Sequence, residues 1–466
     1  MVSLTNFQST SLLKFKAQGE NDPRFTRSTD YVTAQILGVL FGICSGNRRH
    51  FELSESSRST LICQGAAIGL FDEIKPASSI DPSTASLWDS WIREEKLCRL
   101  GWAIYVRQPA SLEPWLLAYN KQEVDASVTF LLNKRPFLSI SSMRLQLPSS
   151  EDLWEADSAQ AWASLHPSSP LAPPRKSFET TLNRIFSGSD HDHARDLGNL
   201  QHRHILILTL ARMVWSWNEI LTTPGVQHGR MPMEHFQDTK QDILTTLDGL
   251  RATMFRTSWR LQLPSSTGAI LQSSLIIHIS HLYAADDVMD WFYPLIRRGH
   301  VAARWKARAA QWAAQNPVKV REVAYHSAQI LAITRKYPSN FPTEVFATFH
   351  AGLYMWLISS LWQEQYAGTD LPAWENSLEI RLDQLDIEMD EESYSNCVAP
   401  WIIDGVPGAN PRVSIHSVPD LTGVDGPRQV LNLVAKLLER MRVWKVSENL
   451  LQIIVGLVPD RDVPSL

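Results

Sequence analysis

Cysteine is scarce in this chain and poorly placed for chemistry. Cys44, Cys63, Cys98 and Cys397 lie far apart in 466 residues and include no C-x-x-C pair. Neither a zinc finger, a Zn2Cys6 cluster nor a secreted disulfide framework can be drawn from them, and a reducing compartment follows. The opening MVSLTNFQSTSLLKFKAQGE has no apolar core of signal-peptide length, so secretion is not expected. An excess of positive charge is missing too. The 44 Lys and Arg against 49 Asp and Glu leave a formal charge of −5, which argues against a chain held to nucleic acid by its phosphate contacts. Long uncharged runs are few. The best membrane candidate, Val345 to Trp362, lacks Asp, Glu, Lys and Arg over 18 residues but contains Thr348, His350, Ser359 and Ser360, and it reads as a buried helix. No G-x-S-x-G, no P-loop, no internal repeat and no alternating run long enough for a sheet stands out.

Tryptophan, by contrast, is plentiful, with 17 residues in a chain that is 44% hydrophobic and 20% charged. That is globular composition, and indole rings brace helices against one another in a core. The chain is organised around Trp91 to Trp162. Trp91, Glu95, Cys98 or Arg99, and Trp102 recur at helical spacing, with Leu97, Leu100, Ala103 and Ile104 widening the apolar stripe. Pro148 then stops the chain, and Ser149-Ser150 before Glu151 and Asp152 read as the cap and acidic first turn of a second helix carrying Trp154 and Trp162.

The ordered pieces E-x-x-x-R-L-x-W-A-x-Y from Glu95, N-K-R-P from Asn133, M-R-L-x-L-P from Met143 and L-W-x-A-x-S-A-x-x-W ending at Trp162 resemble the middle homology region of fungal-specific transcription factors. The resemblance is strongest to the branch with paired Cys2His2 fingers upstream. It extends to S-G-N-R-R-H-F-E-L-S-E from Ser45, to A-Y-H-S-A-Q-I-L around His326 and Gln329, and to the tail from Trp401 through G-P-R-Q-V-L to Trp444.

In chain order, residues 1–28 read as a poorly ordered lead-in. Residues 29–378 read as the helical regulatory domain, with helices from Thr29 to a stop at Gly46 and Arg48-Arg49, and then over Leu53–Leu70. Further helices are predicted over Trp91–Tyr105, Leu200–Leu221, Gln241–Trp259, Ser273–Leu295, Val301–Gln315 and Val318–Lys336. Seventeen residues, Val106 to Gln122, interrupt the pattern of the resemblance and read either as a retained-intron insert or as a tolerated surface loop. Ser168 to Ser177 reads as a linker. Residues 379–425 form an acidic and Pro/Gly-rich connector, and 426–458 one amphipathic helix packing on the body, with Val430, Leu433, Val434, Leu437, Leu438, Met441 and Trp444 on one stripe.

Three constellations compete for a chemical role. Asp286, Asp287 and Asp290 fit the D-D-x-x-D pattern of helical Mg²⁺-dependent terpene synthases, but no second metal motif follows, and a solvated helix end explains them as well. His191, Asp192, His193, Asp196, His202 and His204 have ligand chemistry, yet His202 and His204 stand two apart and face different sides of a helix. Arg297, Arg298, Arg304, Lys306 and Arg308, with Trp305 and Trp312 alongside, read as a solvated basic face. Glu379 to Glu392, acidic with interspersed Leu382, Leu385, Ile387 and Met389, reads as an acidic linker or as an activation surface.

No catalytic, cofactor-binding or metal residue is therefore assigned. An all-α, multi-helix fold without a sheet is expected. The resemblance implies a nuclear transcription regulator, of a fungal pathway such as a secondary-metabolite cluster, with no enzymatic activity. It implies contacts to coregulators or the transcription machinery, a small-molecule effector, homodimerisation and no membrane. Zinc is expected only in a finger module absent from this chain, so DNA contact is expected through that missing module or through a partner. The competing expectations are the terpene synthase and a non-catalytic helical scaffold.

Overall fold

A computed structural model describes residues 24, 27–74, 83–105, 132, 134–167, 174–187, 199–221, 233–255, 264–285, 302–366, 379–388, 391–405 and 412–457. The fold is all-α, with fifteen α-helices among the described residues. The chain divides into two compact units, residues 1–209 and 210–466.

In the first unit, α1 (Thr29–Cys44) begins at Ser28, whose hydroxyl accepts the Tyr31 amide at 3.2 Å. It ends at Gly46, whose φ of +67° is the left-handed turn that glycine adopts without strain. Helix α2 (Arg48–Ala67) follows at once, because the Asn47 side chain caps the amides of Arg49 and His50. The early start corrects the expected boundary: Arg48-Arg49 open α2 instead of closing α1. The rotation that results leaves Leu61, Ile62 and Leu70 buried but Leu53 46% exposed and Ala66 on the surface. Helix α3 (Thr84–Tyr105) buries Trp91, Glu95, Cys98, Trp102 and Ile104 of the expected stripe and Tyr105 beside them, while Leu97, Leu100 and Ala103 are only half-buried.

The expected single helix after Pro148 is two short ones, α4 (Glu151–Trp154) and α5 (Ala159–Ser164), the second capped by Ser158 at the Ala161 amide. The break lets Trp162 turn back onto Trp91, with ring centroids 5.6 Å apart and Leu153 completing the cluster. Helix α6 (Phe178–Ser187) follows, and α7 (Leu200–Leu221) spans the division at residue 209.

In the second unit, α8 (Met233–Phe255), α9 (Pro264–Ala284), α10 (Ala302–Gln315), α11 (Pro317–Lys336) and α12 (Pro342–Tyr366) surround a core in which residues 323–334 of α11 are all buried. Pro317 starts α11, as its fixed φ favours. Helix α12 is long and apolar enough to cross a membrane, but 89% of its apolar window is buried inside this unit. Helix α13 (Glu391–Asp404) leads to the C-terminal segment, which is not one helix but two, α14 (Gly426–Arg440) and α15 (Val446–Gly456), separated by a turn in which Trp444 Nε1 donates to the Asn340 carbonyl at 2.6 Å.

Contrary to expectation a small sheet exists. Strands β1 (Glu379–Arg381) and β2 (Arg412–Ser414) pair in parallel, Ile380 opposite Val413. Three residues per strand are too few to leave an alternation signal in the sequence.

Gly352 on α12 marks the closest approach of α14: a Cβ there would stand 2.6 and 2.7 Å from the two γ-carbons of the fully buried Val434. Alanine's helix propensity gains under about 1 kcal/mol, whereas overpacking costs about 1–3 kcal/mol. Gly352→Ala is therefore expected to lower the denaturant midpoint, and Val434→Ala in the same chain to show a favourable coupling with it. Simple additivity of the two losses would contradict this contact.

Candidate functional site

Two buried polar assemblies stand out, one in each unit. In the first, Glu95 projects from the middle of the buried face of α3 and is wholly inaccessible. Its Oε1 accepts Arg99 Nε at 2.8 Å and the Ser149 amide at 3.0 Å, and its Oε2 accepts Arg175 Nε at 3.0 Å. Arg99 continues to the Ser149 carbonyl and to Glu151, and its guanidinium lies 4.5 Å from the Trp154 ring centre. Trp102 Nε1 and the Cys98 thiol both donate to the Gln146 carbonyl, while Leu147 and Phe178 exchange backbone bonds with Lys176 and Leu145. His202 Nε2 lies 2.7 Å from the Pro148 carbonyl, an acceptor only, so that nitrogen carries the proton. Burial lowers the His202 imidazole below its ordinary value and raises the Glu151 carboxyl against the pull of Arg99.

The assembly is a clasp: one helix holds two non-helical segments, residues 143–150 and 174–177, through side chains that satisfy their backbone groups. Arg175 and Lys176, expected in a solvated linker, are part of it. The Arg175 side chain is 9% exposed.

The second assembly is built from α8, α9, α11 and the segment 379–388. Gln329, inside the apolar run of α11, uses its whole amide. Nε2 donates to the Leu382 and Gln384 carbonyls at 2.9 and 2.7 Å, and Oε1 accepts the Asp386 amide at 2.9 Å. Asp386 Oδ2 accepts Arg251 at 2.6 Å and Tyr325 at 3.3 Å, with His278 Nε2 at 3.4 Å. Arg251 also reaches Asp248 at 3.2 Å, and His281 Nε2 lies 3.3 Å from Asp248.

His278 Nδ1 and His326 Nδ1 are 2.9 Å apart, and His281 stacks on His326 at 4.1 Å. A hydrogen bond between the two facing nitrogens needs one proton, carried by one ring or the other. Burial drives His278 down and His326 well down from the usual imidazole value. Burial alone would raise Asp386, but His278 and Arg251 outweigh it and hold the carboxyl far below the usual range. Arg251, whose guanidinium stays protonated, is the lasting counter-charge.

Glu379 to Glu392, expected to be a wet connector, is in its described part a docked strap: Leu382, Leu385, Asp386 and Ile387 are each under 5% exposed. The polar grip of Gln329 and Arg251 supplies the reason, together with Leu382 N donating to Ser414 at the end of the strand pair. The spacing Tyr325, His326, Gln329 already showed polar groups in an apolar helix, which is the signal that marks them. Arg251, His278 and Asp386 lie far apart in sequence and left none.

Of the residues weighed as metal ligands, His202 and His204 are separately buried on α7, while His191, Asp192, His193 and Asp196 lie outside the described residues. Asp286, Asp287 and Asp290 lie outside them as well, as do the insert 106–122 and Arg297 and Arg298. Among the described residues, no group of three or more His, Cys, Asp or Glu is placed to hold a metal ion. Arg308 is exposed on α10 and Trp312 is buried beside it.

Thiol chemistry divides in the same way. Burial pushes Cys44 and Cys98 up to about 12, whereas Cys63 is exposed on α2. A thiol reagent at neutral pH is expected to label Cys63 rapidly and Cys44 and Cys98 only on unfolding, as mass spectrometry of the digested chain will read.

No family model and no solved structure matches the chain. One curated fungal protein does. "Transcription factor 1" of Elsinoe fawcettii is 21% identical over 271 residues, 55% of this chain and 27% of that protein. The chain thus spans about a quarter of the length of that relative.

Proposed function

We propose that this chain is the regulatory, protein-contacting body of a fungal transcription regulator. It works in the nucleus through coregulators or the transcription machinery, and reaches DNA through a separate module or a partner. One observation carries the reading. Among the residues that resemble the fungal regulatory region, Glu95, Arg99 and Trp102 bond one another and the backbone of residues 146 and 149 in the clasp, Trp154 packs on Arg99, and Trp162 packs on Trp91. They hold a shape, which suits a body that binds and relays. The similarity to Transcription factor 1 supports the same assignment.

Control of a pathway gene set, such as a secondary-metabolite cluster, response to a small-molecule effector and pairing of two copies belong to this proposal. The test is a fusion of the full chain to a heterologous DNA-binding domain over one activating and one repressing reporter. Output is expected to move at least about threefold, a free-energy bias under 1 kcal/mol. Output equal to that of the DNA-binding domain alone on both reporters refutes the proposal, and so does turnover of a substrate by the purified chain.

A further inference from the structure

Residues 379–392 carry seven carboxylates and one arginine, interspersed with Leu382, Leu385, Ile387 and Met389. Acidic-aliphatic sequences of this kind act when wet, because their charges keep apolar side chains soluble and available. Here the aliphatic residues Leu382, Leu385 and Ile387 are covered. One amide, Gln329, makes three backbone bonds to the strap, and one carboxylate, Asp386, anchors it to Arg251 and Tyr325. Further attachments surround these. Asp383, 3% exposed, accepts Arg381 Nε and the His416 amide and lies 3.5 Å from Arg335, Glu388 pairs with Lys336 and accepts the Tyr337 hydroxyl, and the strand pair is three residues long. The anchor is also incompletely satisfied. Asp386 Oδ1, though buried, accepts no hydrogen bond, and Asp248 and Asp386 share the single guanidinium of Arg251.

Building on the reading of the chain as a transcription regulator, we propose that residues 379–388 are an activation motif latched by Gln329 and Arg251. The released strap fits a coactivator groove with an aliphatic floor and a rim of Lys and Arg. The floor takes Leu382, Leu385 and Ile387, and the rim takes Asp383, Asp386 and Glu388.

Gln329→Leu in the full chain keeps the volume and removes all three backbone bonds. Hydrogen exchange at amides 382–388 is expected to speed up about a hundredfold, at roughly a factor of five for each lost bond, while α11 and α12 keep their protection. Output of the fused chain on the activating reporter is expected to rise about tenfold, and Leu382→Ser, Leu385→Ser and Ile387→Ser together to abolish the rise. Asp386→Asn, which preserves shape, is the milder variant and is expected to move both readouts the same way. The latch is overturned by unchanged exchange, or by exchange that spreads through α11 and α12 in both variants. It is equally overturned by faster exchange without added output, or by a rise that survives the serine substitutions. If wild type moves a reporter and the variants merely match it, the latch alone fails. If wild type and variants are all silent on both reporters, the transcription reading fails with it.

Discussion

Glu95→Ala is expected to destabilise the first unit by about 3–5 kcal/mol, the cost of breaking a buried ion pair from one side. The carboxylate is wholly inaccessible, and Arg99 and Arg175, which face it, are 10% and 9% exposed. Removing it strands two desolvated guanidiniums and the Ser149 amide. Arg99 keeps Glu151, and Arg175 keeps Glu94 at 3.5 Å, so the loss falls short of two isolated charges. Segments 143–150 and 174–177 lose their common anchor, and the Trp91, Leu153 and Trp162 cluster loosens with them. For a unit of this size the midpoint of thermal unfolding is expected to fall by about 10 °C. Arg48→Ala removes an exposed pair with Glu52, its side chain 93% exposed, and is expected to change the midpoint negligibly. Equal effects from the two substitutions, read by calorimetry, would contradict the clasp.

Acidification from pH 7 to pH 5 is expected to cost about 2 kcal/mol through His350 alone. Burial lowers this imidazole to about 4 from an ordinary value near 6.5. Above pH 6.5 neither folded nor unfolded chain binds the proton, and stability is at its full value. Between 6.5 and 4 the unfolded chain binds it and the folded chain refuses, so stability falls as the pH falls. His278 and His326 share that sign. Glu151, Glu322 and Glu344, which burial raises, have the opposite one: their contribution is present below the ordinary carboxylate value and is lost as pH rises through their folded values. The depressed Asp386 contributes stability above its unfolded value and loses it only in stronger acid, outside this window. The total profile therefore mixes signs, but the difference between wild type and His350→Leu isolates one group. The wild type is expected to lose about 2 kcal/mol more than the variant between pH 7 and pH 5. Parallel profiles would mean that His350 takes up its proton in the folded protein.

Much of the helical architecture was legible because apolar period and stop signals agree locally. Leu200–Leu221 and the Pro317 start of α11 follow directly from them. Boundaries failed where a side-chain cap decided them, as at Asn47, or where packing cut a helix in two, as at residues 155–158 and 441–445. The spacing of Trp91, Glu95, Cys98 and Trp102 placed Glu95 on the buried face of its helix. Nothing in that spacing named Arg175, 80 residues away, as its partner.

What the sequence determined by itself is the fold class: an all-α chain of helices braced by tryptophan. These are properties of composition and local period, and they survive without any knowledge of contacts. The tertiary structure decided where the buried charges go. Glu95 with Arg175, and Asp386 with Arg251 and Gln329, are joined across 80, 135 and 57 residues. A desolvated carboxylate is tolerable only where distant donors meet it, and one chain read in order does not say which of its cations will arrive.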